Sequence, residues 1–187
     1  MNAPELPIRP YERKQAVVAG HDPRALGAAA RLADLIATAR PGTTVEHIGS
    51  SAVPGLPGKG VIDLLIEADP DEIPSIVAAM LGIGFEPQTS PDRFPPERPL
   101  LLGAIDHEGA RFRIHAHIVP ADTPEPAELR GFRDALIADP ELRAAYAARK
   151  RAIVDAGTSD SREYSVIKGD WVLDTLTRLG LRPAPGP

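Results

Sequence analysis

Apolar positions along the chain alternate between a helical and a strand period, and glycine and proline mark the switches. In DPRALGAAARLADLIATA, residues 22–39, Leu26, Ala29, Ala30, Ala33, Ile36 and Ala37 recur at helical spacing. Asp22 stands at an N-cap position, Pro23 pre-sets the first turn, and Pro41-Gly42 ends the helix. Residues 44–48 are short, β-branched and bounded by glycine, and residues 61–66 are an apolar run broken only by Asp63; both predict strands buried on at least one face. DPDEIPSIVAAMLGIGF has an acidic start, an amphipathic body and a glycine stop, which predict a second helix leading into a short strand near Phe85. EPQTSPDRFPPERP, residues 86–99, is too rich in proline and polar residues for regular structure and predicts a mobile flap. A hairpin follows, Leu100–Ile105 with Ala110–Val119, turning at DHEG with Gly109 in the left-handed position. From residue 123 onward the pattern is helical, broken at Asp139-Pro140, with a last helix in DSREYSVIKGDWVLDTLTRLG. The expected organisation is a lead-in over residues 1–20, one domain over 21–180 and a disordered tail over 181–187.

The sharpest pattern lies in the second hairpin strand. In RFRIHAHI, Arg111, Arg113, His115 and His117 alternate with Phe112, Ile114, Ala116 and Ile118, so one face enters the core and the other carries two guanidiniums and two imidazoles. Half-exposed antiparallel strands alternate by rule, so a sheet face open to water is the plain reading. Paired Arg and paired His on one face also suit phosphate forks and metal ligation, which is chemistry that Lys, Thr and Glu on a solvated face would not supply.

Composition narrows the classes. The chain has 187 residues, enough for one domain with a substantial core, and with aromatic residues at 4% that core must rest on Leu, Ile, Val and Ala. A net charge of -5 argues against a general DNA or anionic-membrane footprint and leaves room for a small anionic ligand. The absence of cysteine removes disulfides and thiolate metal sites, and no segment resembles a signal peptide or a membrane span. A cytoplasmic protein is expected, with a homodimer left open.

EHIGSSAVPGLPGKGVIDLLIEA, residues 46–68, joins the two predicted strands through a Gly-Ser loop. It is not a P-loop: Val53 stands where the first glycine is required, and Gly60 follows Lys59 where Ser or Thr is required. It is not a dinucleotide fingerprint either, because the chain leaves it into a strand and not into a helix. Ser50 and Ser51 satisfying loop amides as side-chain caps is the bland alternative.

A strand, a Gly-Ser pair, a loop and a strand bearing Asp resembles the DNA polymerase beta-type nucleotidyltransferase fold. With RIHAHIV, FRDALIADPELRAAYAARK and YSVIK following in order, residues 44–172 resemble the GrpB family of that superfamily, a group sometimes fused to dephospho-coenzyme A kinase. The resemblance implies an α+β fold, a nucleotidyltransferase-like mixed sheet flanked by helices and closed by a C-terminal helical layer. It implies that Gly49, Ser50 and Ser51 hold a phosphate chain, with Lys59, Arg111, Arg113, Arg133, Lys150, Tyr164 and Lys168 as further phosphate-facing candidates. Asp63 then takes the catalytic or metal-holding position, with His47, His115 and His117 as further metal candidates. Active members of the superfamily place a second acid two residues beyond the first and a third on a nearby strand; here those positions are Leu65 and the His115–His117 strand. Three readings stay open: an enzyme with an altered Asp/His metal site taking magnesium or a transition metal, a binder of a nucleotide or other phosphorylated small molecule, and a non-enzymatic interaction module.

Overall fold

A computed structural model describes residues 6–15, 17–90, 93–158 and 160–183. Its centre is β2, Val61–Ala68, whose apolar run has a physical cause in its position: β1 (Glu46–Ile48) pairs antiparallel on one edge and β5 (Ala110–Pro120) pairs parallel on the other. Paired on both edges and buried along one face and most of the other, such a strand reads as nearly continuous Val, Ile and Leu. Beyond β5 lie its hairpin partner β4 (Leu100–His107) and the two-residue β3 (Glu86–Pro87), giving the order β1-β2-β5-β4-β3. The hairpin closes through a two-residue turn in which Glu108 (φ 47°) joins Gly109 (φ 75°) in the left-handed region.

One sheet face packs against α1 (Arg24–Ala39) and α2 (Ile73–Gly82). Ile62, Leu64 and Ile66 of β2, with Phe112, Ile114, Ala116 and Ile118 of β5, meet Leu32 and Ile36 of α1 and Ile76 and Met80 of α2 there, so the alternation read in RFRIHAHI is the observed one. The cap position of α1 is taken by Pro23, one residue beyond the expected Asp22, whose carboxylate accepts the Arg24 amide at 3.0 Å. The buried stripe of α1 is offset from the expected one: Ala25, Ala28, Ala29, Leu32 and Ile36 face the sheet, and Leu26 is 43% exposed. Small residues let the helix approach the sheet, and Leu26 does not fit that seam.

The other face is half covered. Ile48, Leu65 and Val119 pack with Leu129 of α3 (Glu125–Ala138), while α4 (Pro140–Asp155) and α5 (Ser161–Arg178) pair as a hairpin beside it. The break at Asp139-Pro140 is a cap: the Asp139 carboxylate accepts the Glu141 and Leu142 amides at 2.8 and 3.0 Å, and Pro140 occupies the first helical turn. The sheet order, the α1/α2 layer and the C-terminal helices make the mixed α+β architecture expected from the sequence.

The lead-in is a structural part of the fold. Ile8 is buried in the main core, Arg9 pairs antiparallel with Ala104, and Ala19 with Gly58; residues 1–5 and 16 of that segment lie outside the described residues. Of the expected flap, residues 91 and 92 lie outside the described residues, and Arg98 is tied to Glu125. Of the expected tail, residues 184–187 lie outside them, and the Leu181 amide bonds back to the Leu176 carbonyl. Among the described residues, no helix is long and apolar enough to cross a membrane.

Candidate functional site

The site forms where β1 ends. Gly49 adopts φ 71° and ψ -168°, a conformation that only glycine holds without strain, and it carries the chain directly over Asp63. A Cβ built at Gly49 would lie 2.4 Å from the Asp63 Oδ2 and 2.9 Å from its Cβ. The chain then turns through Ser50–Ala52, and buried Val53 and Leu56 anchor the loop among Leu136, Tyr146 and Ala147 of the C-terminal helices. The Gly-Ser loop is thereby clamped between the sheet and α3–α5.

Asp63 shares its sheet face with His115 and His117, and its Oδ1 lies 3.4 Å from His115 Nδ1 and 3.7 Å from His117 Nε2. Burial acts to raise the Asp63 pKa, but hydrogen bonds from the two histidines outweigh it and hold the carboxyl well below the usual carboxylate range. Burial pushes His117 downward, against the pull of Asp63. Each imidazole has a second partner: Tyr11 Oη is 3.0 Å from His115 Nε2, and Arg98 Nη1 is 3.1 Å from His117 Nδ1.

Lysines converge from the helices and the loop. Lys150, 1% exposed, donates to Ser50 Oγ at 3.0 Å and to the Pro57 carbonyl, with its ammonium 4.5 Å above the Tyr146 ring. Burial, with Lys168 nearby, lowers its pKa to about 7. Lys59 lies 4.7 Å over the Tyr164 ring, and burial and Lys168 lower its pKa to about 8. Burial pushes the Tyr164 phenol up to about 12. Ser50, Asp63, His115 and Lys168 border both parts of one continuous cleft; Ser51, Lys59, Lys150 and Tyr164 line its inner part, and Gly49 and His117 its wider mouth. The mouth is walled by Phe94, Phe132, Tyr146 and Val172, a surface suited to a planar apolar group.

Four expected site residues are placed elsewhere. His47 pairs with Leu64, so its side chain lies on the sheet face opposite Asp63, where Nε2 meets Ser51 Oγ at 2.9 Å and burial lowers its pKa to about 4; it does not join the metal candidates. Arg111 sits at the exposed end of the hairpin, bonded to Asp106 at 2.7 and 2.9 Å. Arg113 donates to the Lys59 carbonyl at 2.7 Å, bracing the loop from β5. Arg133 donates to Glu46 and to the His47 carbonyl, tying α3 to β1. Leu65, at the position where the resemblance implied a second acid, is 0% exposed in the apolar cluster with Ile48 and Val119, and Glu67 is bonded to Arg130. Tyr11, Arg98 and Phe94 belong to the site and were not singled out in the sequence; a tyrosine in the lead-in and an arginine in a proline-rich stretch carry no local periodicity that would mark them.

Asp63, His115 and His117 are the one group of three histidine or acidic side chains among the described residues whose donor atoms all lie close enough to share an ion, within 4.8 Å of one another. One carboxylate and two imidazoles do not fit a pair of magnesium ions, which need several oxygen donors; they fit a single borderline ion such as zinc, cobalt or nickel.

Comparison with known proteins agrees with this architecture. The chain is 33% identical over 137 residues to a UPF0157 protein of Streptomyces coelicolor, covering 73% of this chain and 68% of the relative. It is 32% identical over 148 residues to a UPF0157 protein of Pseudomonas aeruginosa, covering 76% of this chain and 57% of the relative. A dephospho-CoA kinase of Mycolicibacterium paratuberculosis is 30% identical over 158 residues, and there the match spans 38% of the relative's length. Among solved structures, GrpB from Enterococcus faecalis superposes with a TM-score of 0.63 at 21% identity, covering 85% of this chain and 99% of that one. GLD-2 in its complex with RNP-8 superposes at 0.56 and 16% identity, covering 88% of this chain and 54% of that one, a likeness that shows the nucleotidyltransferase-like fold alone. The family model described as GrpB protein matches residues 15–178, and the chain belongs to the GrpB family.

Proposed function

We propose that the cleft binds a nucleotide or another phosphorylated small molecule, with its phosphates on the Gly49–Ser51 loop and the rest of the molecule toward Phe94 and Phe132. The observation that carries this reading is the buried Lys150 bonded to Ser50 Oγ, with Lys59 and Lys168 bordering the same cleft. Burying an ammonium group is unfavourable, and the pKa values of Lys150 and Lys59, lowered first of all by burial, express that cost. A phosphate chain relieves it by supplying charge and acceptors to all of them at once. A chain of net charge -5 that concentrates cations at one loop favours a small anion over nucleic acid. The absence of cysteine agrees with the cytoplasm as the place where such a ligand is met.

A second reading, nucleotidyl transfer at a single altered metal site, is favoured by the Asp63–His115–His117 group. Leu65 in an apolar cluster removes the second carboxylate that two-metal chemistry requires, so binding is the reading advanced. The test is a thermal-shift screen with nucleoside triphosphates and coenzyme A precursors, each with and without EDTA. A ligand at about 100 times its Kd adds about 2.7 kcal/mol and is visible. No shift with any phosphorylated ligand would refute the proposal.

A further inference from the structure

Arg98 meets the Asp63–His115–His117 group from the flap side. Its guanidinium is held by Glu125 at the start of α3, with Nε bonded to the two carboxylate oxygens at 3.0 and 2.9 Å, and it lies 4.1 Å over the Phe94 ring. From that position Nη1 reaches His117 Nδ1 at 3.1 Å. A guanidinium can only donate, so Nδ1 is the accepting nitrogen of His117 and the neutral ring carries its proton on Nε2. That is the nitrogen 3.7 Å from the Asp63 carboxylate, which it then faces as a donor.

Two of the three donor pairs among Asp63, His115 and His117 come near the spacing of metal ligands, and all three lie within 4.8 Å of one another. A tetrahedral ion with bonds of about 2.0–2.1 Å keeps its donors about 3.3 Å apart. Asp63 Oδ1 stands 3.4 Å from His115 Nδ1 and 3.7 Å from His117 Nε2. For His115 an ion on Nδ1 raises no conflict, because the second nitrogen meets the Tyr11 hydroxyl, which can accept as well as donate. For His117 there is a conflict: an ion on Nε2 requires the ring proton on Nδ1, where Arg98 has no lone pair to receive it.

We propose that Asp63, His115 and His117 form a site for one borderline divalent transition metal, and that Arg98 and the ion compete for His117. The Glu125–Arg98–Phe94 assembly is then a latch: closed, it keeps His117 as a donor to Asp63; open, it frees Nε2 for the ion. The inference is independent of the phosphate ligand and is tested without one.

The experiment is a calorimetric and visible-absorption titration of tag-free protein with cobalt(II), comparing wild type with Arg98→Met, Glu125→Gln and His117→Ala. Arg98→Met keeps an unbranched apolar side chain beside Phe94 and removes the competing donor; Glu125→Gln loosens the latch without touching the cluster. Both are expected to bind cobalt about 10- to 100-fold more tightly than wild type, the span that outer partners of ligand histidines command. His117→Ala is expected to lose binding, and magnesium to give no signal with any variant. Equal cobalt affinity in wild type and both latch variants, no binding in any of them, or undiminished binding by His117→Ala would overturn the proposal.

Discussion

Replacing Gly49 with alanine adds one methyl group at the point where the Gly-Ser loop crosses Asp63. Two penalties follow. The backbone at φ 71° and ψ -168° is a glycine region, and forcing another residue into it costs about 1–3 kcal/mol. The methyl also meets Asp63 Oδ2 at 2.4 Å and Asp63 Cβ at 2.9 Å. Rotating the carboxylate relieves the first contact and disturbs its pairing with His115 and His117. The second cannot be relieved by rotation, because Cβ is fixed to the central strand; the loop must lift, at an overpacking cost of about 1–3 kcal/mol. Together these predict a loss of about 2–6 kcal/mol, and a melting temperature lower by roughly 4–24 °C at 2–4 °C per kcal/mol for a domain of this size. Gly55→Ala is the control for a positive φ without a collision: φ is 75° and nothing lies within 4 Å of an added Cβ. Differential scanning calorimetry on both variants, with ligand titration at a temperature where both are folded, separates the contributions. Gly49→Ala that melts with Gly55→Ala and binds phosphate ligands like wild type would refute the view that the loop is built on Asp63.

Three further outcomes are expected. An unfolded lysine titrates near 10.4, whereas buried Lys150 titrates at about 7 and Lys59 at about 8. Between those values the unfolded chain holds protons that the folded one has released, so the contribution of these lysines to stability rises with pH across that window. Phosphate binding restores the ammonium forms, so titrations in two buffers of different ionisation enthalpy at about pH 8 should report proton uptake, with affinity falling as pH rises further; zero uptake would count against a phosphate beside Lys150. Asp63→Asn removes a like charge beside the ligand while keeping the side-chain shape that the Gly49 backbone packs on and an acceptor for both histidines, so nucleotide affinity in EDTA should hold or improve, and a loss of tenfold or more would show that the loop needs the carboxylate charge itself. Leu32→Ala empties a fully buried α1 position on the far side of the sheet, and should cost about 2–5 kcal/mol in denaturant unfolding while leaving ligand affinity unchanged.

What could be read from the chain and what could not divide by sequence distance. The β2 run, the alternation in RFRIHAHI and the Asp139-Pro140 break are periodic or local signals, and each produced the element expected. His47 stood among the metal candidates, but a three-residue edge strand sets its facing by register alone, and the pairing of Ile48 with Asp63 turns His47 away. Arg111 and Arg113 share the His115 face as alternation requires, yet Asp106 and the Lys59 carbonyl claim them, partners that only the hairpin and the parallel pairing bring near. Arg98 was invisible for the same reason: its role is set by Glu125 and His117, which lie in other elements. The Ser50–Lys150 contact spans 100 positions in sequence, and the family resemblance, not periodicity, placed Lys150 among the candidates.

The central claim is that the Gly-Ser loop and the converging lysines hold the phosphates of a small molecule. The most direct test is calorimetric titration, in EDTA, of the phosphorylated ligand found in the thermal screen against wild type and Ser50→Ala/Lys168→Met, with the melting temperature of each recorded. Single-site binding by the wild type, weakened by roughly 2–4 kcal/mol in a double variant that stays folded, is predicted from the loss of one neutral and one charge-assisted hydrogen bond. Equal affinity in the two proteins would place the ligand elsewhere and contradict the account.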